Sequence, residues 1–143
     1  MASINKSVLV EFSANQIYSL VNDVEEYPKF LPWCSNVNVS KKDPDVLVAE
    51  IVMNFLGIKE SFTTKNVNTP PTKIVMNLVK GPFNYLNGNW NFTPITHNAC
   101  KIEFSINYEF SNKILEKAIG PLFSRMISNF VDSFCNRAKI VYG

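Results

Sequence analysis

The residues best suited to covalent or acid–base chemistry are few in this chain, and they are scattered. His97 is the one histidine. It stands in the turn-like stretch Thr96-His97-Asn98, where a solvated loop imidazole is the ordinary state. A cysteine–histidine nucleophile would need Cys34 or Cys135, both distant in sequence, to meet it in space, and no local motif supports such a pair. The carboxylates Glu11, Asp43, Asp45, Glu103 and Glu109 fall on turns or outward strand faces, as solvated charges rather than a matched acid and base. Cys34, Cys100 and Cys135 are odd in number with no Cys-x-x-Cys spacing. That pattern fits free thiols in a reducing compartment better than a disulfide framework or a zinc site. No Gly-rich phosphate loop and no cluster of metal-ligand spacing is present. The reading is non-enzymatic: no catalytic residue, no metal and no required cofactor.

Apolar and aromatic side chains carry more information. Of 143 residues, 46% are hydrophobic and 13% aromatic, while 18% are charged and the net charge is +2. Low charge with many aromatics is the reverse of a disordered composition. Near-neutrality argues against a protein held to DNA or other nucleic acid mainly by phosphate contacts. No run approaches 18 consecutive apolar residues, so no helix is expected to span a membrane. A chain of this length forms one domain, 1–143, and buries about 70% of its unfolded surface. The N-terminus enters a strand pattern at once, without the charged and apolar regions of a leader, so the cytoplasm is the default location. Asparagine, at 18 residues, dominates the polar remainder.

The elements that must position these side chains follow from periodicity. Residues 4–12 alternate, with Ile4, Val8, Val10 and Phe12 on one face of a strand. Ser13-Ala14-Asn15-Gln16 reads as a capping box, and Ile17, Leu20, Val21 and Val24 continue at helical spacing. A second short helical or turn segment, 25–33, is kept short by Pro28 and Pro32. From about 36 to 110 the period is two. Val37 and Val39 mark a strand, 46–55 the next, 58–67 another, and Ile74, Met76 and Leu78 resume after Thr69-Pro70-Pro71-Thr72. The last, Ile102 to Phe110, is the cleanest alternation. Asn87-Gly88 is by itself a strong hairpin signal. Yet Leu86, Gly88, Trp90 and Phe92 hold one parity through it, so 83–93 reads as one strand, with Gly88 permitting a bend or a close approach. Beyond Asn112, three- and four-residue steps from Leu115 to Val141 predict a helix of about 30 residues, roughly 45 Å long. Gly120-Pro121 should kink or break it near its start.

Seven or so strands with short connections imply an antiparallel sheet. Its greasy face needs the terminal helix as cover, which makes a two-layer α+β fold with a cleft between the layers. Two further features stand out. Phe30-Leu31-Pro32-Trp33-Cys34 is apolar where a loop should be polar, and serves either as a plug over the sheet edge or as a lid touching a ligand, a partner or a membrane surface. Lys59 and Lys65 share one strand face, with Lys41-Lys42, Lys73 and Lys80 at nearby strand ends. Ordinary solvated edge accounts for them, since a nucleic-acid surface favours arginine and exposed aromatics.

Several motifs in order also resemble a known family. Asn22-Asp23-Val24-Glu25-Glu26-Tyr27-Pro28-Lys29-Phe30-Leu31-Pro32-Trp33-Cys34, Phe62-Thr63-Thr64, Gly81-Pro82-Phe83 with Leu86, Gly88, Trp90 and Phe92, and the ending 137–143 are similar to the coenzyme Q-binding proteins and their bacterial branch, the ribosome association toxins, of the START-like (polyketide cyclase and lipid-transport) superfamily. The resemblance spans the whole chain. It implies a helix-grip fold, in which a curved sheet of about seven strands wraps a long C-terminal helix, with two short helices after strand 1. It implies a tunnel for a ubiquinone-type polyprenyl lipid, a supporting role in respiration and peripheral contact with the inner membrane. For the toxin branch it implies a partner in the large ribosomal subunit and a block of subunit joining. Pro32-Trp33-Cys34 resembles the respiratory branch, and Pro121 departs from the family pattern at the helix start. Taken with the periodicity, the expected pocket and lid positions are Phe30, Leu31, Pro32, Trp33, Met53, Phe55, Phe62, Met76, Leu78, Leu86, Gly88, Trp90, Phe104, Phe123, Met126, Ile127, Phe130 and Phe134. The expected ribosome-facing positions are Lys59 and Lys65.

Overall fold

The computed structural model describes residues 2–143. Strand β1 (Ala2–Val10) turns Ile4, Val8 and Val10 inward and ends two residues before the alternation does. The difference is local chemistry: Ser13 Oγ accepts from Gln16 N at 3.1 Å while Ser13 N donates to Gln16 Oε1 at 2.9 Å. This capping box satisfies two otherwise orphaned donors and starts α1 (Ala14–Asn22). Helix α1 buries Ala14, Ile17, Tyr18 and Val21. A 3-10 helix (Val24–Lys29) follows, containing Pro28. The Tyr27 hydroxyl donates to the Val21 carbonyl and ties this segment back onto α1.

The next six strands are β2 (Cys34–Lys42), β3 (Val46–Phe55), β4 (Ile58–Thr69), β5 (Lys73–Lys80), β6 (Phe83–Thr96) and β7 (Ala99–Phe110). Each pairs with its successor and β1 closes against β7, giving one antiparallel sheet in the order β1-β7-β6-β5-β4-β3-β2. Because β1 and β2 are opposite edges, α1 and the 3-10 helix must carry the chain across one face. The stretch 83–93 is indeed a single strand, longer at its C-terminal end. Gly88 pairs with Met76 on one side and Ile106 on the other. A Cβ there would stand 2.8 Å from the Ser105 carbonyl oxygen and 2.9 Å from Met76 Cε, so the glycine is required by space.

Pleating sorts the faces. Inward go Leu47, Ala49, Ile51 and Met53 of β3, Leu86, Trp90 and Phe92 of β6, and Ile102, Phe104, Ile106, Tyr108 and Phe110 of β7, all buried. Many of the asparagines go outward. In register across the sheet, Lys65 pairs with Asn77, Asn77 with Asn87, and Asn87 with Asn107.

The terminal helix is two helices. Asn112 Oδ1 accepts from Ile114 N at 2.7 Å and opens α2 (Lys113–Ser128), and α3 (Phe130–Tyr142) follows a break at Asn129. The expected break at Gly120-Pro121 does not occur. Pro121 lies inside α2 on its exposed face, beside the exposed Lys117 whose carbonyl it leaves unbonded, and water can serve that group. Asn129 instead leaves helical geometry (φ −96°, ψ 0°), and its carbonyl accepts from both Ser133 N and Ser133 Oγ. Phe123 of α2 packs on Tyr108 and Phe110, with ring centroids 4.9 and 5.6 Å apart, while Phe130 and Phe134 of α3 pack on Trp90 at 5.7 and 5.4 Å.

Candidate binding cavity

Between the concave sheet and the helical layer lies a cavity of about 50 Å³. Four groups of elements build it. Val21, Val24 and Tyr27 come from α1 and the 3-10 helix, and Trp33 from the connection to β2. Ala49, Ile51, Phe62, Thr64, Asn66, Ile74, Met76, Leu86, Trp90, Phe104 and Ile106 come from β3 to β7. Met126, Ile127 and Phe130 close it from α2 and α3.

Of the residues expected at a pocket, Trp33, Phe62, Met76, Leu86, Trp90, Phe104, Met126, Ile127 and Phe130 share this cavity. The others do not line it. Leu31, Met53, Phe55, Phe123 and Phe134 are core, and Gly88 is buried behind Met76. Phe30 is half-buried, packed on Tyr27 and Phe134 with the Arg137 guanidinium 5.2 Å from its ring centre. Leu78 is half-buried and Pro32 exposed. The apolar loop thus divides: Leu31 and Cys34 plug the sheet edge, while Trp33 faces the cavity, 6.0 Å from the Phe130 ring. Its carbonyl accepts from Asn54 N at 2.9 Å, which seats the loop beside the β3–β4 turn. At that turn Leu56 is 91% exposed in a left-handed conformation (φ 50°), next to Gly57 at φ 90°. Lys59 and Lys65 are exposed on the opposite, outer face.

The sequence reading missed the contributions of α1 and the 3-10 helix, of Ala49, Ile51, Ile74 and Ile106, and of the polar pair Thr64 and Asn66. The inward positions of β4 run Phe62, Thr64, Asn66, Asn68. Thr64 Oγ1 donates to Asn66 Oδ1 at 3.0 Å, and Asn68 Nδ2 donates to Asn22 Oδ1 at 3.1 Å. Asn66 and Asn68 are only 8% and 4% exposed. Among the described residues, Asn68 Oδ1 and the Tyr18 hydroxyl are buried without a hydrogen-bond partner. A buried unsatisfied polar group costs about 1–3 kcal/mol.

Acid–base chemistry has little to work with here. Among the described residues no Asp, Glu, His, Lys or Arg lines the cavity. Tyr27 is a phenol whose pKa is raised, by burial first and by nearby Cys34 and Asp23 after that, so it stays protonated. Burial pushes the Cys34 thiol up to about 11, which keeps it out of the thiolate form at neutral pH. Among the described residues no group of histidine, cysteine and carboxylate side chains is placed to hold a metal ion. No helix among them is long and apolar enough to cross a membrane.

A curved seven-stranded sheet closed by C-terminal helices matches known architecture. The family model for polyketide cyclase / dehydrase and lipid transport proteins matches residues 10–135. The chain belongs to that family. The chain is similar to the ribosome association toxin RatA of Vibrio cholerae, 46% identical over 143 residues, covering all of this chain and 99% of the relative. The mitochondrial coenzyme Q-binding protein COQ10 of Drosophila melanogaster is 28% identical over 138 residues, covering 94% of this chain and 57% of that protein. In three dimensions, a START superfamily protein from Mycobacterium smegmatis superposes with a TM-score of 0.80 at 17% identity, covering 97% of this chain and 98% of its own. These two relatives carry names that denote binding or toxicity rather than a catalysed reaction.

Proposed function

We propose that this chain binds a hydrophobic isoprenoid lipid of the ubiquinone type between sheet and helices and acts as a carrier or chaperone, not as a catalyst. The observation that carries this reading is the internal cavity itself, walled by aromatic and thioether side chains and free of ionisable acid–base groups other than Tyr27. A water needs about 10–15 Å³ of such space, so about 50 Å³ accommodates a few waters and not a substituted ring. Lipid binding therefore includes a parting of the layers. The C-terminal cover is two helices meeting at Asn129, the place at which such a parting would bend it. Burying an isoprenoid tail contributes about 0.8 kcal/mol per CH₂ equivalent before ordering costs, so a few units suffice for micromolar affinity. Organic extraction of the purified chain followed by mass spectrometry should yield a polyprenyl quinone near one per chain. Repeated absence of quinone, with no uptake when ubiquinone is added, overturns the reading.

Full-length identity of 46% to a protein named for ribosome association supports a second reading, in which the outer sheet face docks on the large ribosomal subunit. Lys59 and Lys65 stand exposed on that face, with the amide row Asn77, Asn87 and Asn107 running away from Lys65. Binding of this kind weakens steeply with salt. Co-sedimentation with ribosomes should then fall about tenfold or more in a Lys59→Glu, Lys65→Glu double variant and remain intact in Phe130→Leu, the electrostatic contacts being the dominant ones. Salt-independent co-sedimentation, or none, counts against it.

A further inference from the structure

Strand β4 departs from the rest of the inner face. Its neighbour β3 presents five apolar residues inward, Leu47, Ala49, Ile51, Met53 and Phe55, whereas β4 presents Phe62, Thr64, Asn66 and Asn68. A strand with its inner face buried gains nothing in folding from three polar residues there, since unpartnered buried polar atoms destabilise. Thr64 and Asn66 line the cavity. The Thr64 hydroxyl, by donating to Asn66 Oδ1, fixes the orientation of the amide and leaves Asn66 Nδ2 as its donor. Next along the strand, Asn68 is held by Asn22 and keeps a buried carbonyl oxygen unbonded. This polar group sits toward the start of β3, where Asn66 pairs with Leu47 and Asn68 N donates to the Asp45 carbonyl. Phe62 and Trp33 lie toward the other end of β3, Phe62 pairing with Ile51 and the Trp33 carbonyl accepting from Asn54 N, with Phe62 four residues, or roughly 13 Å, along the strand from Asn66.

We infer that Thr64 and Asn66, backed by Asn68, form a hydrogen-bonding seat for the carbonyl end of the ligand, so that the lipid binds head inward with its tail leaving past Phe62 and Trp33. This rests on the lipid reading above and adds to it an orientation and a ligand class. The ligand is a neutral isoprenoid with a ring carbonyl, which accepts from Asn66 Nδ2. A plain hydrocarbon would leave the amide unsatisfied. A lipid with an ionised head would find no Lys, Arg or His in the lining to balance its charge.

The test uses ubiquinone-2 and the oxygen-free isoprenoid farnesene, each titrated into the full chain with Trp33 and Trp90 as fluorescent reporters. Thr64→Val and Asn66→Leu keep volume and remove the seat. Each should weaken ubiquinone-2 binding about 5- to 30-fold while changing farnesene binding by less than about twofold. Unchanged ubiquinone-2 affinity in both variants, or equal losses for the two probes, overturns the seat and leaves the lipid reading standing. Uptake of neither probe by the unsubstituted chain overturns both. Should the variants not fold, isotope-edited infrared spectroscopy of carbonyl-labelled ubiquinone-2 on the unsubstituted chain decides. A carbonyl stretch lowered from its value in hexane supports the seat, and an unshifted one overturns it.

Discussion

Replacing Trp90 by alanine lowers the free energy of unfolding by about 3–5 kcal/mol. Trp90 is 1% exposed and touches four other rings. Its ring centre lies 4.5 Å from that of Phe104, 5.4 Å from Phe134, 5.7 Å from Phe130 and 5.8 Å from Phe92. These contacts hold β6 and β7 to α3, so the indole joins the two layers rather than filling one. The loss falls toward the top of the range because Trp90 also lines the existing cavity. The space it vacates merges with a void that neighbouring side chains already fail to fill, and poor collapse is what makes large-to-small substitutions expensive. Urea denaturation gives the readout, as a lower midpoint at an unchanged m-value. A loss under about 1 kcal/mol would show that α3 follows the sheet inward.

Gly88→Ala is the second large effect, for the opposite reason. The added methyl meets Met76 Cε, which can rotate away, and the Ser105 carbonyl oxygen, which belongs to the β7 backbone and cannot move without opening the β6–β7 ladder. Overpacking of this kind costs about 1–3 kcal/mol, and Gly88→Val costs more. Thermal unfolding of the two variants should rank them in that order. Under the lipid reading, Met76 displaced toward the cavity also narrows the ligand path, so quinone uptake should fall in Gly88→Ala even below its unfolding temperature. Wild-type stability in Gly88→Ala would mean that the strands part more readily than their register implies.

How legible these features were depends on where each is decided. The bounds of β3, 46–55, could be read directly because Asp43-Pro44-Asp45 and Leu56-Gly57 bracket a single-period run. The parity through Asn87-Gly88 was legible for the same reason, since two apolar residues on each side fix the face of the one between. The helical break was not. Proline is a local signal, but whether it breaks a helix depends on which side faces water, and that is settled by packing on the curved sheet. The polar seat was hidden differently. Along 62–68 both parities carry polar residues, Thr63 and Lys65 on one and Thr64 and Asn66 on the other, so alternation cannot say which is buried. The roles of Val21, Val24 and Tyr27 in the lining depend on α1 and the 3-10 helix crossing the sheet, a consequence of β1 and β2 lying at opposite edges.

The smallness of the cavity has a further consequence, for time rather than for affinity. A cavity of about 50 Å³ must widen before it holds a whole isoprenoid ligand. Under the lipid reading, entry then waits on an opening whose rate belongs to the protein. Apparent affinity is the intrinsic one scaled by the open fraction. Once lipid is plentiful, adding more no longer speeds loading, and release runs through the same opening. Such a carrier exchanges its cargo at a tempo set by its own breathing, and it keeps the hydrocarbon tail out of water between one opening and the next.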